Sequence, residues 1–539
     1  MLDYSAVLSR QEELEAERRL EESEWDEIAR LMRPDQVGIS SGDNKRKPAY
    51  DDLFDATQLY ALDAFAGGMF TQATNPMDAW FGLSTGDQDL DKWGSVKRWL
   101  SSTTSVLAAS LSPAVSCFYA EAPAWFGDVG AFGFSVMHTE EDVGNQRIVD
   151  RVLPIGQCYL DVDAFGMADT MHRKFMLKGR QVRQMFGDAA PGELDDKRSY
   201  QIIHGVTRNM DFRPRRLGPE GKRYLSLYCS PDIKGWQKVG GFEEFPFFVP
   251  QWNRRPGRAY PTGPGHLAKA DSAMLQEMER SHIVAAQYAA EPPVLVNDES
   301  VLTAADIAPN ALLYGTMNDQ GKKLMEHLSR GNDVRLSMQQ SEQRRNSIRE
   351  AFYFGLMQLV NRPQMTATEF LGFQEEKLRL MGPNLVRIQT YGLSPFIARR
   401  YRILARAGQI DPLPPELQGR MLSIEYVSPL AKAMKAGLGR ATLQWLQAIG
   451  QLAQIDPTAM DNVDIDGSAA VLHDAYGAAP QALRDAKTVT ELRQARQGQM
   501  AQQQALDQTG QAVTIAAEAA HAAQAATLSG ERTGKGGKP

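Results

Sequence analysis

Residues Gln339 to Ser347 read QQSEQRRNS, nine consecutive positions without an apolar side chain, inside a stretch that keeps helical spacing from about Gly331 to Val360. A helix that is polar all round has no stripe to bury in the core of its own subunit, so it is either solvated or packed against copies of itself. The same chain offers a companion rod. After the Pro/Gly-dense RRPGRAYPTGPG of Arg254 to Gly265, a helix is predicted from His266 to Ala290, where Glu291-Pro292-Pro293 stops it. At 1.5 Å per residue this rod is about 37 Å long. Ala270, Ala273, Ser281, Ala285 and Ala289 on one side would let another helix approach closely. The segment between the two rods, 291 to 330, carries Val294-Leu295-Val296 and Leu312-Leu313-Tyr314 and reads as a compact insert at their far end.

The flanking regions are more ordinary. A charged helix is expected over 9 to 33, with Leu20, Trp25, Ile28 and Met32 at helical spacing and Pro34 at its end. A second runs from Asp51 to Asn75-Pro76 and places Leu59, Leu62, Phe65, Ala66 and Met69 on one face. Between about 133 and 250 the period becomes alternating, as in Tyr224, Ser226 and Tyr228 against Leu225, Leu227 and Cys229, and Gly166, Gly205, Gly218 and Gly240-Gly241 supply turns. This block reads as α+β. Downstream, Arg362-Pro363 breaks the polar helix and Thr366-Ala367-Thr368-Glu369 restarts one with capping-box spacing. The restarted helix extends to about Ala407, with interruptions expected at Gly382-Pro383 and Ser394-Pro395, and Gly408 ends it. Leu422, Ile424 and Tyr426 then alternate as a short strand, and the chain reads helical from Pro429 into an Ala/Gln-rich end and a Gly/Lys tail.

Composition limits the chemistry. A formal charge of -7 over 539 residues argues against a surface that grips nucleic acid everywhere, which needs a Lys/Arg excess; any such contact must be local. Three scattered cysteines support neither a disulfide framework nor a Cys-based zinc site, and a reducing compartment fits them. The start, MLDYSAVLSRQEELE, has no export pattern, and the uncharged run from Leu100 to Ala120 holds eight Ser/Thr and Pro113, too polar for a bilayer span. Gly82-Leu83-Ser84-Thr85-Gly86 matches a nucleophile elbow but leads into an acidic loop, so a plain turn is expected. Gly263-Pro264-Gly265-His266-Leu267-Ala268 spells a dinucleotide-type G-x-G-x-x-A without a preceding strand and reads as a turn opening a helix. Asn462-Val463-Asp464-Ile465-Asp466-Gly467 resembles half a calcium loop whose twelfth position is His473. No cofactor or metal site and no enzyme is indicated. Arg344, Arg345 and Arg349 lie within two turns of the polar helix, either as a solvated basic face or as a ring of phosphate-facing charge.

Long helix, small insert, long helix, breaking loop, kinked helix: this order resembles the portal (head-to-tail connector) proteins of tailed double-stranded-DNA phages, most closely the short-tailed-phage connector family. Six local segments carry the resemblance: Asp55 to Leu83 with its N-P and W-F-x-L, Val152 to Gly187, Phe245 to Gly265 leading into the first long helix, AEPPVLV at Ala290 to Val296 leaving it, RPQMTATEF at Arg362 to Phe370, and Val463 to Gln497. Tyr260-Pro261 stands where the family usually has Tyr-Gly. The resemblance implies a mainly α, α+β portal fold. Its expected parts are a wing (1–265), a first stem helix (266–290), a clip (291–330), a second stem helix (331–360), a channel loop (361–365), a kinked helix with a wing strand (366–428), a helical crown (429–527) and a flexible tail (528–539). It further implies a late virion protein, made in the host cytoplasm and assembled as a dodecameric ring at the unique capsid vertex. The ring would be the conduit for genome packaging and ejection. Implied partners are further copies of the chain, the terminase large subunit, a tail adaptor or head-completion protein, major capsid and scaffolding proteins, and double-stranded DNA; no membrane is implied. Asn361, Arg362, Pro363, Gln364 and Met365 would form the loop touching DNA. The competing classes are a nucleic-acid-processing enzyme with a helical arm, which needs a convergent polar cluster, and a helical scaffold, which needs sustained heptads that the polar run lacks.

Overall fold

The structure is a computed structural model that describes residues 4–40, 50–77, 79–91, 93–142, 147–290, 294–296, 325–327, 334–357, 380–427, 429–476, 482–484, 488–500, 515 and 517–522. The chain divides into two compact units, the first comprising residues 1–83, 102–412 and 424–430 and the second 84–101, 413–423 and 431–539.

The first unit is organised around a helix whose second half is buried on every side. Helix α4 (Phe118–Phe132; α1 to α3 are Tyr4–Met32, Thr57–Ala73 and Gly94–Ser110) buries Phe118, Ala122, Trp125, Phe126, Val129 and Phe132 along one face, and from Trp125 to Phe132 every residue is buried, so that half is covered all round. Two glycines set how closely it is covered. A Cβ on Gly130 would strike the Phe65 and Leu62 side chains of α2, and Gly133, at φ +86°, ends α4 in the left-handed conformation that favours glycine. The backbone after Gly133 then lies directly against Thr262-Gly263-Pro264-Gly265, so a Cβ on Gly263 or Gly265 would run into backbone of α4. The G-x-G-x-x-A spelling therefore records a close packing contact at the start of helix α6 (Pro264–Ala290; α5 is Gly179–Phe186).

Two antiparallel sheets follow α4. In the three-stranded one, β2 (Val136–Asp142) lies between β3 (Arg147–Leu153) and β9 (Phe247–Phe248). The five-stranded sheet has the order β4 (Cys158–Val162), β5 (Ala168–Lys178), β6 (Ser199–Arg208), β7 (Tyr224–Cys229), β8 (Gln237–Phe242). Strand β1 (Phe81–Ser84) pairs with β12 (Ser423–Tyr426), the short strand expected from Leu422, Ile424 and Tyr426, and β10 (Val294–Val296) pairs antiparallel with β11 (Met325–His327). Helix α1 lies along the five-stranded sheet. Its Arg18, 1% exposed, donates to the carbonyls of Gly156 (3.0 Å) and Cys158 (2.9 Å) and covers the Tyr159 ring at 3.7 Å. Tyr260, at the departure from the usual Tyr-Gly, is buried; its hydroxyl accepts from the Leu160 N–H at 3.1 Å and its ring meets Trp25 edge-on.

Two helix expectations need correction. The polar helix, α7 (Val334–Ala351), is not continuous toward Val360: Tyr353 takes φ +54° and a separate turn, Phe354–Met357, closes this stretch of the described residues. Burial of Phe352 and Met357 against the α2 side of the core turns the chain inward, where a straight helix would carry it away. Gly382-Pro383 does not interrupt its helix, since residues 380–388 are continuously helical. The irregularity falls instead on a π-helical turn, Gln389–Leu393, directly before Pro395, which sits in the first turn of α8 (Ser394–Arg406). A proline has no N–H to donate and its ring crowds the preceding turn, so the chain widens just ahead of it.

Helix α8 is locked to the sheets by buried charge. Arg400 and Asp150 are both fully buried and meet at 2.8 Å; Ser110 takes two further guanidinium hydrogen bonds, and the Asp150 carboxylate accepts from Ser116 and Thr139 at 2.6 Å each. The second unit contains the first half of α3, a turn at Pro415–Leu417, most of α9 (Pro429–Ala453) and all of α10 (Ile465–Ala475). The false calcium loop is here the start of α10: the Asp464 carboxylate accepts from the Gly467 N–H at 2.9 Å, an N-terminal cap.

Removing one partner of a buried ion pair strands the other charge, so Asp150→Ala is expected to destabilise the chain by about 3 to 5 kcal/mol. Urea unfolding of the variant checks this; a loss below about 1 kcal/mol would sink the assignment of this pair as a lock.

Three buried histidines give a second expectation. Burial lowers His138 to about 3 and His172 to about 4, and pushes His204 well below the usual value. The unfolded chain, with histidine near 6.5, therefore binds more protons than the folded one from about pH 6.5 down to 4, and stability falls on acidification by about 1.4 kcal/mol per histidine per pH unit. Asp128, raised to about 6 by burial, works with the opposite sign and offsets part of one histidine. The denaturation midpoint should be clearly lower at pH 4.5 than at pH 7, and unchanged midpoints would contradict the buried, neutral state of these rings.

Candidate nucleic-acid interface

Helices α6 and α7 form an antiparallel hairpin, fixed by two polar contacts. His282 Nε2 and Ser337 Oγ lie 2.6 Å apart, and Arg344 pairs with Asp271 at 2.8 Å. Ser272, Leu275 and Ser341, which lie between these contacts along the two helices, are buried, as are Ala268 and Ile348 beyond the Arg344–Asp271 pair. The polar run thus finds partners within its own chain, contrary to the expectation that it has none. Sequence spacing could not show this, because the partners are single carboxylates 60 or more residues away.

Arg345 is the best anchored of the three arginines. Its guanidinium reaches Asp55 at 2.9 Å, Glu279 at 2.8 Å and Glu342 at 3.3 Å, so it ties α7 to α6 and to the foot of α2. Gln276 makes the same connection from α6: its Oε1 accepts from the Phe54 and Asp55 N–H groups at 2.7 and 3.0 Å, and its Nε2 donates to the Asp55 carbonyl at 2.9 Å. Burial alone would raise the Asp55 carboxyl; hydrogen bonds from Thr57 and then Arg345 hold it below its ordinary value. Asp55 and Gln276 were not singled out by sequence. Asp55 opens the DATQLYAL segment, but nothing local marks it as an ion-pair partner.

Arg344 and Arg349 keep more freedom. Their side chains are 42% and 38% exposed, and each meets one carboxylate, Asp271 and Glu342 respectively. Glu342, held low by Arg349 and then Arg345, is itself exposed. Arg349 also lines a groove of about 560 Å³ with Thr57, Tyr60, Asp63, Phe354 and Met357. The hairpin can therefore present two partly screened cations beside a rigid third. The loop residues Asn361, Arg362, Pro363, Gln364 and Met365 lie outside the described residues.

The enzyme-like motif behaves as a turn. Ser84 Oγ donates to Asp91 at 2.7 Å and accepts from the Gly86 N–H at 3.0 Å, so the hydroxyl is spent on folding the acidic loop. Among the described residues no three His, Cys, Asp or Glu side chains converge as metal ligands, and no helix is long and apolar enough to cross a membrane.

Hydrogen bonds to charged groups with two or more partners are worth more than a single exposed ion pair. Arg345→Ala should lower stability by about 1.5 to 3 kcal/mol and Arg344→Ala by less than about 1, measured by urea unfolding. Equal losses would refute the distinction.

Comparison with known proteins places the chain in a family. Over 521 residues the chain is 28% identical to the portal protein of Salmonella phage epsilon15, covering 93% of both chains. Over 516 residues it is 27% identical to a probable portal protein of Bordetella phage BPP-1, covering 93% of this chain and 92% of that one. A likeness to a chain in the neck of an empty GTA particle, at 10% identity and a TM-score of 0.37 over 72% of this chain and 86% of that one, is too distant to carry an argument. The family described as bacteriophage head to tail connecting protein matches residues 5–483, and the chain belongs to that family.

Proposed function

We propose that the protein is a phage portal: a ring of identical subunits at the unique capsid vertex through which the genome is packaged and ejected, and on which the terminase and a tail adaptor dock. The observation that carries this reading is the collinear match over residues 5–483, with two portal relatives aligned along nearly their whole length. The stem hairpin supports it. Its contacts to α2 make a rigid, mostly polar post, suited to a barrel wall shared by neighbours, and its paired arginines leave little free positive charge. A conduit must let DNA slide, and strong phosphate neutralisation would hold it in place.

In this reading residues 1–265 are the wing, 266–290 and 331–360 the stem, 291–330 the clip and 429–527 the crown. The antiparallel pair β10–β11 lies in the clip segment and closes it between the two stem helices. Capsid and scaffolding proteins meet the wing, and the terminase and adaptor meet the clip in turn. Arg344 and Arg349 face the channel, and Asn361 to Met365 project into it, with Arg362 and Gln364 offering salt-screened contacts to phosphates. A dodecamer is the expected ring.

Negative-stain images and light scattering of the purified protein test the reading: a ring with a central hole supports it, and a monomer stable at micromolar concentration across salt conditions overturns it. Arg362→Ala combined with Gln364→Ala should leave rings intact and alter DNA packaging or retention. Unchanged packaging and retention would remove the channel-loop assignment alone.

A further inference from the structure

Helix α9 does not have the surface of an isolated helix. Leu438, Trp445 and Leu452 recur at seven-residue steps, and they are 60%, 44% and 54% exposed, with Thr442 and Ile449 half-buried between them. That is a heptad seam, the pattern that packs against another helix. Among the described residues α9 meets α10 at Gly439, where a Cβ would collide with that of Ala475, and Gly439 lies off the line of Leu438, Trp445 and Leu452, whose side chains are exposed. The segment that follows is also apolar and uncovered: Ile455, Met460, Ile465, Val471 and Tyr476 are all more than one-third exposed. Exposed apolar side chains recurring along both segments mark surfaces suited to packing against a partner.

Charge identifies the occupant. Pro429 to Ala453 contains three basic residues and no acidic one, whereas residues 456–474 contain five aspartates and no Lys or Arg. Asp466 spends part of its charge on Arg493 of its own chain at 2.7 Å, and Asp456 and Asp464 also accept local hydrogen bonds, from Thr458 and Gly467. The segment nevertheless stays acidic overall. Two copies of α9 would repel each other, and so would two copies of 456–474. A contact of α9 with 456–474 satisfies both charge and apolar cover. Such a contact uses two different surfaces of the same chain, and repeating it with rotation generates a ring.

We propose that the helical unit is completed by a second copy of the chain, the Leu438–Trp445–Leu452 seam of one subunit seating on residues 455–476 of its neighbour. This rests on the ring reading above and adds to it the surfaces that join one subunit to the next. It also explains why, in the described part of α9 and α10, so little apolar surface is buried within one chain.

The test uses the full-length protein with Trp445 replaced by the photo-cross-linker p-benzoylphenylalanine, in assemblies mixed from isotopically heavy and light chains. Trp445 is exposed in the single chain, so the replacement does not disturb a core. The expected result is heavy–light adducts mapping to residues 455–476. A second variant, Trp445→Glu with Leu452→Glu, should reduce the fraction of assembled rings at least tenfold by mass photometry while leaving the secondary structure of the remaining chain intact. Rings that form with isotopically pure adducts, with adducts elsewhere, or with wild-type yield in the double variant overturn the proposed contact and leave the portal reading standing. A protein that never forms rings overturns both.

Discussion

The Arg400–Asp150 pair joins parts of the first unit that lie 250 residues apart in sequence. It brings α8, near residue 400, against β3, near residue 150, and recruits Ser110, Ser116 and Thr139 into one hydrogen-bonded cluster with no exposed charge. In such a site the Coulomb attraction repays desolvation only when every lone pair and N–H finds a partner. The positions of α3, α4, β2, β3 and α8 are therefore mutually determined. Phe118 stacked on Phe396 and Phe248 edge-on to the same ring extend the fixed region into the apolar core.

From this fixed region helix α6 is positioned by contact at the glycines. Gly133, Gly263 and Gly265 let the start of α6 lie against the end of α4 with no side chain between, so the direction of the rod is set by backbone against backbone. Gln276 and Arg345 then hold the rod and its antiparallel partner to the foot of α2, about three turns further along. A rod anchored at its base by packing and at mid-height by charge is held to the core at two points along its length.

The polar helix shows how local reading and tertiary structure divide the information. Its lack of an apolar stripe was legible, and so was the need for something outside a simple core. What was not legible is that Asp55, Asp271 and Glu279 supply much of that need within one chain, because an ion pair leaves no periodic trace in either partner. The same holds for the helix ending at Ala351. Phe352 is buried by the core, and its sequence neighbours alone would have allowed the helix to continue.

The sequence by itself determined much of the order of the described elements, the alternation that becomes the five-stranded sheet, the helix stops at Pro34 and Gly408, and the family, because periodicity, capping and motif order are written in consecutive residues. It also allowed the three deceptive motifs to be set aside, each lacking the context its chemistry requires. Only the tertiary structure decided that those residues serve as a turn (Ser84), a backbone contact (Gly263, Gly265) and a helix cap (Asp464). It alone showed which arginines are spent inside the chain and which side of α9 stays uncovered. Those are relations between residues far apart in sequence, set by the close packing of the whole chain, and no local pattern encodes them.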